Sequence, residues 1–282
     1  MEQALEQIRD QQKQTWDTFA PGWKKWDNWV MNFIHPAGDA IITHLKLKDT
    51  DHVLDIATGT GEPGLSIAAI VTKGKVVGFD LSSGMLEVAR ENALRRELNN
   101  YETKEGDASA LPFPDASFDA VSCRFGFMFF PDMTMVAKEI FRVLKPGGKF
   151  ATTVWGTAEK NFWITSFMGP IMRNMKLPAP SPEAPGMFRC ANTQQMEGLF
   201  SNAGFKNIIH EEVATNAEAE SVDFLWTYMN EVAAPVVQAM SKADDGMKLK
   251  IKDEIFEGIK QKHPETGPLK MESQAVVYYM EK

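Results

Sequence analysis

Cysteine is nearly missing from this 282-residue chain: Cys123 and Cys190 are the only two. Two thiols cannot build a disulfide framework or a thiolate zinc site, and the five histidines form no HExxH-type cluster, so no metal is expected. An uninterrupted apolar stretch of bilayer-spanning length is also absent, which argues against a membrane span. The amino terminus, MEQALEQIRDQQKQTW, is charged from the start and has no apolar signal core, so the expected location is the cytoplasm, a reducing compartment. Basic residues are in deficit, 30 Lys and Arg against 38 Asp and Glu, for a net charge of −8. That sign is wrong for neutralising phosphates, so nucleic-acid partners are disfavoured and small substrates favoured. No Ser/Gly-rich linker or repeat divides the chain, and Pro178 to Pro185 is the only Pro-dense stretch.

What is present is an ordinary globular balance of 44% hydrophobic and 24% charged residues, with a clear alternation through residues 51 to 155. Short apolar or β-branched runs at 52–57, 75–80, 101–106, 118–124 and 148–155 predict strands, with helices near 63–72, 83–98 and 132–144 between them. This βαβ series implies a parallel sheet, whose ligands bind beyond the carboxyl ends of the strands. Further along, a helix is predicted at 194–203 with a C-cap at Gly204, then a strand at 207–215, helical sequence over 220–262 and a last strand from Gln274 to Met280. The first forty or so residues also read as helix.

The stretch VLDIATGTGEPGLSIA, residues 53 to 68, carries a GxGxxG spacing in Gly59-Thr60-Gly61-Glu62-Pro63-Gly64. On its own this turn fits a dinucleotide as well as other nucleotides. Asp55 sits two residues before the end of its strand, where the pyrophosphate of a dinucleotide would repel it and a ligand cation would be attracted. Asp80 ends the second strand, 21 positions beyond Gly59, where a carboxylate can accept both ribose hydroxyls. Asp107 follows the third strand, where an adenine amino group could donate to it. Three carboxylates on adjacent strands suit a ligand with an amine at one end, a ribose in the middle and adenine at the other.

The segments VLDIATGTGEPG, VVGFDLSSGML, EGDASALPFPDASFDAV and VLKPGGKF, in this order and spacing, resemble the class I S-adenosylmethionine-dependent methyltransferases. The branch they are most similar to holds the ubiquinone and menaquinone C-methyltransferases and various small-molecule O-methyltransferases. PGMFR, LFSNAGFKNI and WDTFAPGWKKWDNW look like later and N-terminal segments of the same branch. One departure stands out: the first glycine of the family's turn is Ala57 here. The resemblance implies an α/β, Rossmann-like, doubly wound and mainly parallel seven-stranded sheet with an antiparallel last strand. Around it would lie a helical lid (1–45), the S-adenosylmethionine-binding core (46–156), a cap insertion (157–193) and a completion of the sheet (194–282) with a helical insertion at about 220–262.

By the same resemblance, the backbone from Ala57 through Thr58 and Gly59 to Gly61 would hold the methionine portion. Asp55 would either reach the ligand ammonium, directly or through water, or only brace the turn by bonding backbone amides. Asp80 would bind the ribose, with a helix N-cap as its alternative, and Asp107, after Gly106, would meet adenine, with a plain surface loop as the other reading. Leu81 and Met85 would pack on the adenine faces, although Met85 fits helix core equally, and Ala108 would offer its amide to a ring nitrogen. Arg124 and Phe125 would lie near the reactive end of the cofactor through backbone carbonyls, the Arg124 side chain being either a substrate anchor or half of a salt bridge.

Trp16, Phe19, Trp23, Trp26 and Trp29 recur at helical spacing on one face. Trp16 and Trp23 are placed by the resemblance near the cofactor, with Trp26 and Trp29 as packing or substrate wall. Phe127, Trp155, Trp163, Met168 and Phe188 stand out among the apolar residues following strands four and five, as candidate walls for an apolar or aromatic acceptor. His35, after the aromatic helix, is the best-placed general base should one be needed, and His210 reads as structural. The expected function is transfer of a methyl group to oxygen, or carbon, of a small acceptor. An NAD-dependent oxidoreductase is one alternative, and a non-methylating protein retaining fold and cofactor is another.

Overall fold

The first strand, β1 (His52–Ile56), buries four of its five residues, Asp55 among them. A strand covered on both faces belongs at the centre of a parallel sheet, and that is where the computed structural model places it. The structure describes residues 2–179, 181, 183–264 and 267–282. A long helix, α1 (Glu2–Leu45), precedes β1. After β1 the chain runs α2 (Gly64–Ile70), β2 (Lys75–Asp80), α3 (Ser83–Arg95), β3 (Tyr101–Glu105), β4 (Phe118–Arg124), α4 (Met133–Val143), β5 (Leu144–Trp155) and α5 (Phe162–Met175). It continues through α6 (Thr193–Asn202), β6 (Lys206–Ala214), β7 (Ala217–Ala219), α7 (Val222–Val232), α8 (Ala234–Met240), α9 (Asp245–Lys262), β8 (Leu269–Met271) and β9 (Gln274–Glu281).

Seven strands form one sheet in the order β3-β2-β1-β4-β5-β9-β6. The pairs from β3 to β5 are parallel, whereas β9, last in the chain, runs antiparallel to both β5 and β6. This is the doubly wound α/β architecture expected from the sequence. Local signals set its helix starts: Ser82, Asp132, Asn192, Ser221 and Asp244 each accept a hydrogen bond from the backbone N–H three residues on. Gly204, with φ +107°, ends α6 in the left-handed region that glycine enters without penalty.

Three features depart from the sequence reading. β5 begins at Leu144, not 148, because Leu144 pairs with Phe118 before an irregularity through the Pro-Gly-Gly segment. The helical stretch 220–262 is three helices, since Pro235 near the start of α8 cannot continue the hydrogen bonding of α7. β7 and β8 pair as a two-stranded ribbon too short to show a pattern. Among the described residues no helix is long and apolar enough to cross a membrane.

The amino-terminal segment is one helix of 44 residues that carries Pro21 and Pro36 inside it. Its two halves differ. From Ala20 onward it buries Val30, Phe33, Ile34, Ala37, Ile41 and Leu45 against the sheet. From 5 to 19 no residue is fully buried.

Candidate functional site

From β1 the chain winds outward to β2 and β3, then returns to lay β4 on the other side of β1. A crevice forms outside the carboxyl ends of the strands at such a switch point. Its floor is the turn after β1. Gly59 (φ +56°) and Gly61 (φ +115°) both take left-handed conformations. A Cβ on Gly59 would meet no atom within 4 Å, so that side of the turn is open. Ala57 is left-handed too, at φ +54°. Its methyl is accommodated by Gly126, where an added Cβ would come within 2.4 Å of it.

Asp55 lies fully buried beneath this turn. Its Oδ2 accepts hydrogen bonds from Thr58 Oγ1 at 2.6 Å and from Gly64 N at 3.1 Å, and its Oδ1 accepts from Ser122 Oγ at 2.6 Å. Tyr101 Oη, 2.9 Å from Thr58 Oγ1, extends the network. Burial pushes the Asp55 carboxyl up to about 6 against the pull of these donors, and lifts the Tyr101 hydroxyl above its usual range. Of the two readings of Asp55, the geometry is that of the brace. A direct reach to a ligand ammonium is corrected, because the carboxylate is sealed under the backbone it supports.

Asp80, 8% exposed at the end of β2, accepts from Gly59 N and Ser82 N, both at 2.9 Å. One backbone donor on each oxygen leaves further lone pairs, so two ribose hydroxyls can still donate. The N-cap alternative is overturned, since Ser82 caps α3 through Met85 N. Leu81 is partly accessible beside Asp80, whereas Met85 is buried in the core at 3% exposure. After β3, Gly106 lies so close to Phe79 that a Cβ would come within 2.5 Å of the ring. Asp107 Oδ1 then closes a turn by accepting from Ser109 N at 2.9 Å, and Ala108 is buried behind it.

Across these strand ends runs α1. Lys13 pairs with Glu105 and Arg9 lies 3.7 Å from Asp107, both at β3. Asp17 Oδ1 accepts from Ser82 Oγ at 2.6 Å and from Gly84 N at 3.2 Å, after β2. Asp27 Oδ1 accepts from Thr60 Oγ1 at 2.7 Å, on the turn after β1. The helix therefore straps the crevice from its β3 end to its β1 end. Asp17 and Asp27 went unremarked in the sequence, where their ten-residue spacing sets them roughly 80° apart on a helix and gives no sign of a shared role.

Beyond the turn the site becomes aromatic. Phe125, at φ +56°, stacks on Trp155 with centroids 4.1 Å apart. Phe33 from α1 stacks on Trp155 at 5.8 Å and meets Trp163 edge-on at 5.1 Å, all three side chains being buried. Trp163 Nε1 is buried and has no hydrogen-bond partner among the described residues. Met168 and Phe188 are partly buried against the same core. Trp16 meets Phe129, after β4, edge-on at 5.3 Å, and Trp23 meets Trp16 at 6.3 Å. Trp26 and Trp29 instead pack on Phe224 and Tyr228 of α7.

Three further expectations are corrected. Phe127 is fully buried between Phe150 and Phe200, on the core side of its turn, and packs in the core. His35 lies within α1, not after it, and is exposed. Its Nδ1 is 2.8 Å from Asn32 O, the carbonyl that Pro36, lacking an N–H, leaves without its helical donor, so His35 repairs the helix. Arg124 forms no salt bridge: among the described residues no carboxylate lies within 4.0 Å of it, and its Nη2 donates to Met31 Sδ at 3.1 Å. His210 pairs with Glu197, a structural contact as expected.

A Rossmann-like sheet with a glycine turn at its switch point, acidic strand ends and a helical strap defines a nucleotide-type binding fold. The family model for the methyltransferase domain matches residues 53–148. A demethylmenaquinone methyltransferase of Deinococcus radiodurans is 46% identical over 34% of this chain and 40% of its own. One from Oceanobacillus iheyensis is 31% identical over 58% of this chain and 73% of its own. The chain spans less than half the length of several curated relatives it matches, including the first of these two. The solved YcgJ protein from Bacillus subtilis superposes with a TM-score of 0.57 at 21% identity, covering 88% of this chain and 98% of that one. The chain belongs to the class I S-adenosylmethionine-dependent methyltransferases. With that, the dehydrogenase reading of the glycine turn is set aside.

Proposed function

We propose that this protein binds S-adenosylmethionine across the carboxyl ends of β1, β2 and β3 and catalyses transfer of its methyl group to a small, largely apolar or aromatic acceptor. The observation that carries the reading is the line of open or acidic positions under α1, from Gly59 through Asp80 to Asp107. Asp80 takes the ribose, Asp107 and the Ala108 amide the adenine, and the 57–61 backbone the amino-acid end. The bound cofactor supplies an activated methyl on a sulfonium, a good leaving group. The chain's task is then geometric: Phe125, Trp155, Trp163 and Phe33 orient a planar acceptor in line with that methyl, with Met168 and Phe188 further out. Fixing such an approach is worth roughly 7–11 kcal/mol. The strap excludes water from the reacting atoms.

On this reading the acceptor is a small aromatic, a quinol or a polyketide-like enol, methylated at oxygen or, less favoured, at carbon. Support comes from the aromatic stack, from the net charge of −8 and from the demethylmenaquinone methyltransferases among the relatives. A dry aromatic wall leaves the desolvation of a charged acceptor uncompensated. Incubation with methyl-labelled cofactor and a panel of quinols, phenols, enols, tRNA, protein and polyamines tests this. Label on the small neutral acceptors is the expected result; label confined to tRNA, protein or polyamines would sink the proposal.

A further inference from the structure

Arg124 ends β4 at the switch point, paired in register with Thr153 of β5. Its side chain leaves the sheet on the same face as that of Ser122, two residues earlier, which reaches Asp55 under the glycine turn. The guanidinium lies against α1, 3.1 Å from Met31 Sδ. A Cβ on Gly38 would stand 3.6 Å from Nη1 and 3.8 Å from Pro63 of the turn, ordinary contact distances that place the head group between α1 and the turn. A guanidinium carries five N–H donors, and the one side-chain acceptor recorded for this one is a thioether, which accepts weakly.

The carboxylates whose field reaches Arg124 are Glu62, Asp55, Asp27 and Asp39. Three of the four are committed elsewhere. Glu62 pairs with Arg96 and Ser66, Asp55 holds its three donors, and Asp27 holds Thr60 and Asn92. A cation thus stands next to the turn with no carboxylate among the described residues within 4.0 Å of it, in a setting where charge-assisted, bidentate pairing is strong.

We propose that the Arg124 guanidinium receives the α-carboxylate of the cofactor's methionine end. The inference rests on the cofactor reading above and assigns a side chain to the amino-acid end that Asp55, sealed beneath the turn, does not reach. It also fixes polarity: a cation here attracts the carboxylate and keeps the sulfonium toward the aromatic stack.

Calorimetric titration with S-adenosylhomocysteine and with 5′-methylthioadenosine, the same nucleoside without the amino-acid group, separates the possibilities. In Arg124→Met, homocysteine-ligand affinity is expected to fall about 10- to 100-fold, the range for removing a charged hydrogen-bond partner, with methylthioadenosine affinity unchanged. Arg124→Lys recovers part of the loss. Equal loss for both ligands would show a structural role and overturn the proposal. No loss for either ligand, with a raised KM for an acidic acceptor, would assign the cation to the acceptor and overturn it equally. A wild-type protein that binds neither ligand would instead contradict the cofactor reading itself.

Discussion

Ala57 holds a backbone conformation that costs an alanine roughly 1 kcal/mol or more, and its methyl occupies the space that Gly126 leaves free. The two positions are therefore coupled. Gly126→Ala alone should destabilise by about 1–3 kcal/mol, the scale of overpacking, and adding Ala57→Gly should recover most of it. Urea denaturation of the single and double variants checks this; a double variant no more stable than Gly126→Ala would refute the coupling. Asp55 makes a pH-dependent prediction. Its folded pKa of about 6 lies above the ordinary 3.8. Between those values the folded chain keeps a proton that the unfolded chain has released, so this group's contribution to stability declines as pH rises through the window and is constant above it. The full difference is about 3 kcal/mol at about 1.4 kcal/mol per unit. Asp55→Asn should lose that slope relative to wild type, and identical pH–stability curves would contradict it. Asp80, Asp107 and the glycines were legible because each follows its own strand at a fixed offset. Ser122, Tyr101 and Gly126 were not, because their roles exist only once β1, β3 and β4 lie side by side.

Among the elements, α1 carries the most consequence. Its aromatic periodicity was readable, yet its division was not: polar latches hold 9 to 27 to the strand ends, while the apolar face from Ala20 to Leu45 is part of the core. Sequence periodicity reports which face turns inward and is blind to whether that face meets the sheet or only the rim of a crevice. Closing segments come from the less stable parts of a structure. Removal of residues 1–18 should therefore leave a cooperative unfolding transition near that of the intact chain, with weakened S-adenosylhomocysteine binding and little methyl transfer. Undiminished transfer by the truncated protein would show that the strap has no part in the reaction. Phe127 shows the same limit from the other side. An apolar residue after β4 can face the crevice or the core, and the short helical turn Phe127–Phe129 sends this one inward. Phe127→Ala should cost about 3–5 kcal/mol of stability, whereas Trp163→Ala should alter acceptor preference more than cofactor affinity.

For the whole molecule, the parallel direction of the first five strands followed from the βαβ alternation, which is written as local pattern, the antiparallel last strand was implied by the family resemblance, and the strand order emerges only in the assembled sheet. What neither supplied was where the polar latches of the strap fall, on three strand ends in turn from β3 to β1; on the proposed reading adenine lies at the first of these, the amino acid at the turn and the acceptor among the aromatics beyond. The central claim is that Asp80 and its neighbours hold an adenosyl cofactor there. Calorimetric titration of wild type and Asp80→Ala with S-adenosylmethionine tests it most directly. One site per chain is expected, with affinity in the variant lower by about 1.5–3 kcal/mol, the scale for losing a charged hydrogen-bond partner. Absence of binding to the wild type, or equal affinity in the variant, would contradict the account.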